Sequence, residues 1–147
     1  MLHYAITGSQ EPVDGKIGSE SRIYSQLSML DPKKVMIFTG ACIGIDKSAA
    51  IIAYGMGFQV HTVVPWNKNK IDVDYKKHCT SFELMLPNTS YMDRNDRLVA
   101  YLEKEEDILL AFPNEVEEVL RSGTWSTIRR AYRMNRSVII TAPYRSK

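Results

Sequence analysis

The sequence predicts a three-layer α/β sandwich with a mostly parallel central sheet. Three observations carry that expectation. Apolar runs of strand length alternate with amphipathic stretches of helical spacing through most of the 147 residues, the pattern of sheets whose crossover helices cover both faces. The runs at 35–39 and 107–112 are almost continuously apolar rather than alternating, as strands buried on both faces are. Four turns of small residues or proline, Gly8-Ser9, Thr39-Gly40, Pro65-Trp66 and Ser122-Gly123-Thr124, belong to the loops that leave these runs. In parallel sheets such loops gather at the carboxyl ends of the strands, where ligands sit.

In chain order, 2–7 reads as a first strand opening into Gly8-Ser9, and 10–16, with Pro12 and Gly15, as loop. Ile17, Ile23, Tyr24, Leu27 and Leu30 fall at helical spacing, so 17–30 is expected to be helix, stopped by Asp31-Pro32. A second strand at 35–39 leads through Gly40-Ala-Cys-Ile-Gly44 into a helix at 45–56, closed by Gly55 and Gly57. A third strand covers 58–64 and ends in Pro65-Trp66. The polar 67–77 reads as loop or short helix. Further elements are a short strand at 81–86, a helix at 92–104, a strand at 107–112, a helix at 125–134 and a last strand at 137–141. The polar tail 142–147 is expected to be loose. The whole chain, 1–147, reads as one domain without repeats or linkers.

Composition narrows the function classes. With 44% hydrophobic and 24% charged residues the chain is of ordinary globular make-up. A net charge of +2 gives no field that would draw nucleic acid to the whole surface, so such binding needs a local patch. No run approaches the roughly 20 apolar residues of a membrane span, and the start MLHYAITGS is no signal peptide. Cys42 and Cys79 lack metal-ligand spacing and suit reduced thiols in the cytoplasm, with a single disulfide as the other reading. His3, His61 and His78 have no Cys or carboxylate set around them at ligand spacing; no metal and no cofactor are expected.

The stretch 112–131, FPNEVEEVLRSGTWSTIRRA, carries the most specific signal. It runs from a buried strand through an acidic loop and a small-residue turn into a helix. The first amides of a helix have no partner within it and lie at the positive end of its dipole. Gly123 lets a ligand approach the backbone, and Ser122 and Thr124 add hydroxyls, which together describe a phosphate site. Ser122 reads equally as a plain N-cap.

Four segments, in order, resemble the SLOG superfamily, which includes the DNA-processing protein A family and the Lonely-guy (LOG) phosphoribohydrolases. Thr39-Gly-Ala-Cys-Ile-Gly-Ile-Asp46 looks like the glycine-to-Gly-Ile-Asp turn of DNA-processing protein A. Arg94-Asn95-Asp96-Arg97 is similar to its Arg-Asn-Arg segment, and Arg121-Ser-Gly-Thr-Trp-Ser-Thr127 to its Ser-Gly-Ser/Thr turn. Ile6-Thr-Gly-Ser9 fits the superfamily's first glycine turn. The resemblance implies a Rossmann-like fold with a nucleotide-type ligand over the sheet's carboxyl edge. It implies phosphate contact at Gly123 and Thr124, close approach at Gly40 and Gly44, and a guanidinium fork from Arg94. Asp46 is either a ribose contact or a helix cap.

The departures matter as much. At the place of the LOG catalytic glutamate stands Thr127, which cannot act as a general base at neutral pH. Glu117 and Glu118 are the available substitutes, and also ordinary solvated acids. Asp96 interrupts the Arg-Asn-Arg pattern, and the chain lacks the length for the flanking domains of DNA-processing protein A. Trp66 reads as a base-stacking platform or as loop packing, Trp125 as core or pocket wall, and Cys42 as a nucleophile or, more ordinarily, a small buried residue. Arg129, Arg130, Arg133, Arg136 and Arg145 form a basic C-terminal region, a solvated face or a polyanion contact. The expected function is binding of a nucleotide or nucleotide-derived signalling molecule, as sensor or sequestering protein, by a homodimer. The alternatives are N-glycosidic hydrolysis of nucleoside monophosphates and single-strand DNA binding. Expected ligand contacts are Gly8, Ser9, Thr39, Gly40, Gly44, Asp46, Pro65, Trp66, Arg94, Asn95, Ser122, Gly123, Thr124 and Thr127.

Overall fold

Among the described residues, six strands form one parallel sheet: β1 (Leu2–Gly8), β2 (Val35–Gly40), β3 (Gln59–Val64), β4 (Ser81–Leu84), β5 (Ile108–Phe112) and β6 (Ser137–Ile140), in the order β4-β3-β2-β1-β5-β6. The structure, a computed structural model, describes residues 1–143, so Arg145 and most of the polar tail lie outside the described residues. The helices are α1 (Gly15–Leu27), α2 (Ile45–Gly55), α3 (Tyr91–Ala100) and α4 (Gly123–Arg133), with a 3₁₀ turn at Tyr75–His78. This is the expected Rossmann-like α/β architecture. Among the described residues, no helix is long and apolar enough to cross a membrane.

Successive strand residues point to opposite faces, and the sequence uses this to build two cores. Ile6, Ile37 and Leu110 pack with Ile23 and Leu27 of α1 and Ile45, Ala49 and Ala53 of α2. Their neighbours Ala5, Phe38 and Leu109 pack with Leu98 and Val99 of α3 and Trp125, Ile128 and Ala131 of α4. The central strands therefore read as unbroken apolar runs. The alanines of α2 permit close approach: Ala49 and Ala53 are fully buried.

Local chemistry sets the helix ends. At α3, the Ser90 hydroxyl accepts from the Asp93 N–H (3.1 Å), and the Asp93 carboxylate accepts from the Ser90 N–H (2.7 Å). This capping box starts the helix at Tyr91, one residue before the expected position. The helix also ends at Ala100, four residues short of the expected 104. At α2, Gly44 takes a left-handed φ of 83° and its N–H-bearing loop passes under the first loop, where Ile45 N–H donates to Ser9 O (3.0 Å). A Cβ at Gly44 would strike the Ser9 and Gln10 carbonyls. The expected span 17–30 for the first helix sits two residues late and ends three residues too far, because Ser28–Leu30 close the helix as turns.

The chain lays β1 to β4 down in one direction, then jumps back to place β5 on the other side of β1. The strand order thus reverses between β1 and β5, and the crevice at such a reversal lies outside the carboxyl ends. The other end of the sheet is fastened by Asp107, just before β5. Its fully buried carboxylate accepts from His3 N–H (2.9 Å) and from the N–H groups of Glu103 and Lys104 (2.8 Å each). Burial pushes this carboxyl up, but the three amide donors outweigh it and hold it below the usual carboxylate range.

Asp107→Ala strands those donors and is expected to lower unfolding free energy by about 3 kcal/mol at neutral pH. Because the folded-state value is depressed, the wild-type advantage is full above roughly pH 4 and disappears as pH falls through the depressed value. Urea melts of both proteins from pH 7 down to acid check this, with the two curves expected to converge only at the acid end.

Candidate functional site

A cleft of ≈ 640 Å³ opens at the carboxyl ends of β1 and β5. Its floor begins with Thr7, Gly8 and Ser9 as β1 ends. The loops after β1 and β5 are tied together by Asn114, whose side-chain amide donates to Ser9 Oγ (2.9 Å) and Glu11 O (3.0 Å), while its Oδ1 accepts from Val13 N–H (3.0 Å). Gly8 is required for closeness: a Cβ there would occupy the volume of the Ile45 side chain.

Opposite stands the start of α4. Ser122 caps the helix, its hydroxyl accepting from Trp125 N–H (3.2 Å). Gly123 and Thr124 are the first helical residues, so their amides have no acceptor within the helix. A Cβ on Gly123 would meet nothing within 4 Å. The turn is thus held in place by Ser122 and open at Gly123. No carboxylate lies in the first turn of α4, so nothing on the helix itself competes with an anion there.

The cation of the cleft is Arg94 from α3, only 6% exposed. Its Nη1 lies 3.4 Å from Asp46 Oδ2 and 3.7 Å from Cys42 Sγ, and its Nε donates to Asn95 Oδ1 (2.9 Å). The guanidinium lies against Gly40, where a Cβ would overlap it. Burial pushes the Asp46 carboxyl up, against the opposing pull of Arg94 and of the Cys42 N–H. Lys70 adds a second cation to the lining, its carbonyl fixed by Ile43 N–H (2.8 Å). Cations therefore come from the side of β2 and α3. Glu11 and Glu115, on the loops after β1 and β5, bring carboxylates, and Glu115 Oε1 accepts from Trp125 Nε1 (3.1 Å).

Of the residues expected from the sequence, Gly8, Ser9, Asp46, Arg94, Asn95, Ser122, Gly123 and Thr124 line this cleft together. The others lie elsewhere. Thr39 is fully buried with its hydroxyl donating to Gly40 O, and Gly40 lies behind Arg94 as its seat. Gly44 packs under the β1 loop. Thr127 is buried on the inner face of α4, where its hydroxyl donates to Gly123 O (2.9 Å) as helical side chains of this kind do. Pro65 is buried, and Trp66 lines a neighbouring concavity. Glu117 and Glu118 are exposed outside the cleft, Glu118 paired with Arg129 (2.7 Å). Trp125 is in the core rather than the wall. Arg97 pairs with Glu83 (3.2 Å), away from the cleft.

Cys42 is a buried free thiol pushed up to about 11, first by burial and then by the Asp46 carboxylate, so it stays protonated at neutral pH. Cys79 is also free. The lining residues that sequence reasoning missed include Gln10, Glu11, Val13, Lys70, Tyr91, Asn114 and Glu115. Only Tyr91 had a readable signal, the Ser90-x-x-Asp93 box that places it first in α3.

No family model and no curated protein matches the sequence. Among solved structures, the fold is similar to that of DNA processing protein A from Helicobacter pylori, a study of whose structure concerns its single-stranded DNA binding mode. That match has a TM-score of 0.65 at 20% identity over 98% of this chain and 66% of the other. It is similar also to DNA processing protein A from Streptococcus pneumoniae, with a TM-score of 0.68 at 20% identity over 95% of this chain and 50% of the other. The chain thus spans about two thirds of the one and half of the other.

Removing one partner of a buried ion pair leaves an uncompensated charge. Arg94→Ala is therefore expected to destabilise by about 3–5 kcal/mol at neutral pH. Asp46→Asn in that background is expected to restore part of the loss. Denaturant melts of the two single variants and the double variant read this directly; additive losses would contradict the pairing.

Proposed function

We propose that the chain binds single-stranded DNA, with one backbone phosphate held between the start of α4 and the Arg94–Lys70 side of the cleft. The observation that carries this reading is the open, unpaired helix start at Gly123-Thr124 facing the same cleft as the guanidinium of Arg94. A helix N-terminus offers amides and a positive dipole end; Arg94, whose Nε and Nη1 are held by Asn95 and Asp46, offers its remaining Nη2 donors. Together they suit a phosphate. The fold shared with proteins that include a single-strand DNA binder supports the choice of a strand as the phosphate's carrier.

The chemistry is binding rather than bond cleavage. The position of the LOG glutamate holds Thr127, which is buried with its hydroxyl bonded to Gly123 O, and burial pushes the Cys42 thiol up to about 11. Specificity for a single strand follows from accessibility: bases must be unstacked to reach side chains at the cleft. A second reading, a free mononucleotide as ligand, draws on the size of the cleft, which at ≈ 640 Å³ falls in the range of small-molecule sites. Under that reading Glu11 and Asn114 would receive sugar or base hydroxyl and amino groups.

Fluorescence anisotropy with a labelled oligothymidylate tests the proposal. Binding is expected at low salt, with log K falling against log salt at a slope of about −0.7 for the one phosphate neutralised in the cleft. Gly123→Glu places a carboxylate in open space at the helix start, where the dipole favours it and folding is unharmed. It is expected to weaken binding by about tenfold or more. Absence of any oligonucleotide binding overturns the proposal. Thermal stabilisation by mononucleotides alone would then favour the second reading.

A further inference from the structure

Next to the cleft lies a second concavity of ≈ 470 Å³, lined by Trp66, Asn67, Asn88, Thr89, Ser90 and Tyr91. Tyr91 belongs to both linings and forms the wall between them. Its hydroxyl donates to Asn67 O (3.0 Å), and its ring centroid lies 6.0 Å from the Arg94 guanidinium carbon. The tyrosine is thus fixed from both sides, with the cation of the first cleft on one and the second concavity on the other.

The second concavity has the chemistry of a flat, neutral, aromatic guest. None of its six lining residues is charged, so a base entering it displaces no ion's hydration. Trp66 follows the buried Pro65 at the end of β3 yet remains 45% exposed. A tryptophan that served only to pack its loop would bury far more of its area. The hydroxyls are already engaged: Thr89 Oγ donates to Leu86 O (2.7 Å), and Ser90 is committed to the cap of α3. Asn67 Oδ1 accepts from Asn69 N–H (3.0 Å), which leaves the Asn67 NH₂ and the Asn88 side-chain amide as the hydrogen-bonding groups of the rim. Asn88 is held there by a left-handed backbone, φ 66°.

The geometry points to a nucleobase-stacking subsite at Trp66, filled by an unpaired base of the strand whose phosphate occupies the first cleft. This rests on the reading of that cleft as a phosphate site and extends it by one nucleotide. Phosphate and base then lie on the two sides of Tyr91. The stacking face accepts any base, since every base has a π-face, so the subsite distinguishes unpaired from paired nucleotides rather than one sequence from another.

The experiment compares an oligothymidylate with a strand of the same length carrying abasic sugars. Trp66→Ala is expected to weaken the oligothymidylate about tenfold and to leave the abasic strand unchanged. Trp66→Phe keeps an aromatic face and is expected to recover most of the loss. Intrinsic fluorescence of the wild type should be quenched by the oligothymidylate and not by the abasic strand, and the quench should vanish in Trp66→Ala. Equal weakening of both strands by Trp66→Ala, or no weakening of either, overturns the subsite. If Gly123→Glu still weakens both strands in that case, the phosphate cleft stands without it. If the wild type binds neither strand, both readings fall together.

Discussion

Arg94 occupies the space that a side chain at position 40 would need, and much of the site follows from that one exclusion. The guanidinium can reach the carboxyl edge of the sheet only because β2 ends in glycine. There it meets Asp46 in the first turn of α2. Two buried ions cost several kcal/mol each to dehydrate, so the pair is tolerated only with further partners. Asn95 Oδ1 and the Cys42 N–H supply them. Three elements, β2, α2 and α3, are thereby locked at the rim of the cleft by one side chain. A lysine would carry the charge but not the planar fork that spans Asn95 and Asp46 together.

The second half of the site depends on topology. The reversal of strand order between β1 and β5 leaves the loops after these strands side by side with no helix between them. Asn114 closes the gap with three hydrogen bonds. Ser122 then fixes the first turn of α4, with Gly123 left open. Charge is arranged accordingly, with Arg94, its partner Asp46 and Lys70 on one side of the cleft and the carboxylates of Glu11 and Glu115 on the β1–β5 side. A net charge of +2 would not concentrate a polyanion over the whole surface; a local pairing of helix dipole with Arg94 and Lys70 requires no such field.

The fold was legible because its signal is local. Period, turn residues and apolar runs place the six strands and four helices of the described residues, since burial on both faces leaves β2 and β5 without polar alternation. Boundaries slipped where a cap decides, as at Tyr91, or where a helix tapers into turns, as at Ser28–Leu30. The site was legible only in part. The glycine turns and Arg94 were readable through their order along the chain. Asp46 was readable as a cap or a sugar contact, but its actual role, countering Arg94, needs a contact across 48 positions. Asn114 reaches Ser9 across 105 positions, and no spacing rule encodes that. Thr39, Gly40 and Gly44 share the small-residue chemistry of ligand turns yet serve internal packing, because the same lack of bulk lets either a ligand or a neighbouring chain approach.

The most direct measurement is a ¹⁵N–¹H spectrum titrated with a short phosphorylated oligothymidylate. A phosphate seated at the start of α4 moves the amide resonances of Gly123 and Thr124 and the Arg94 Nε–H together, at one common affinity. If those three stay still while amides beside the arginines of the outer face of α4 shift instead, the strand binds elsewhere, and the carboxyl-edge cleft is not its site.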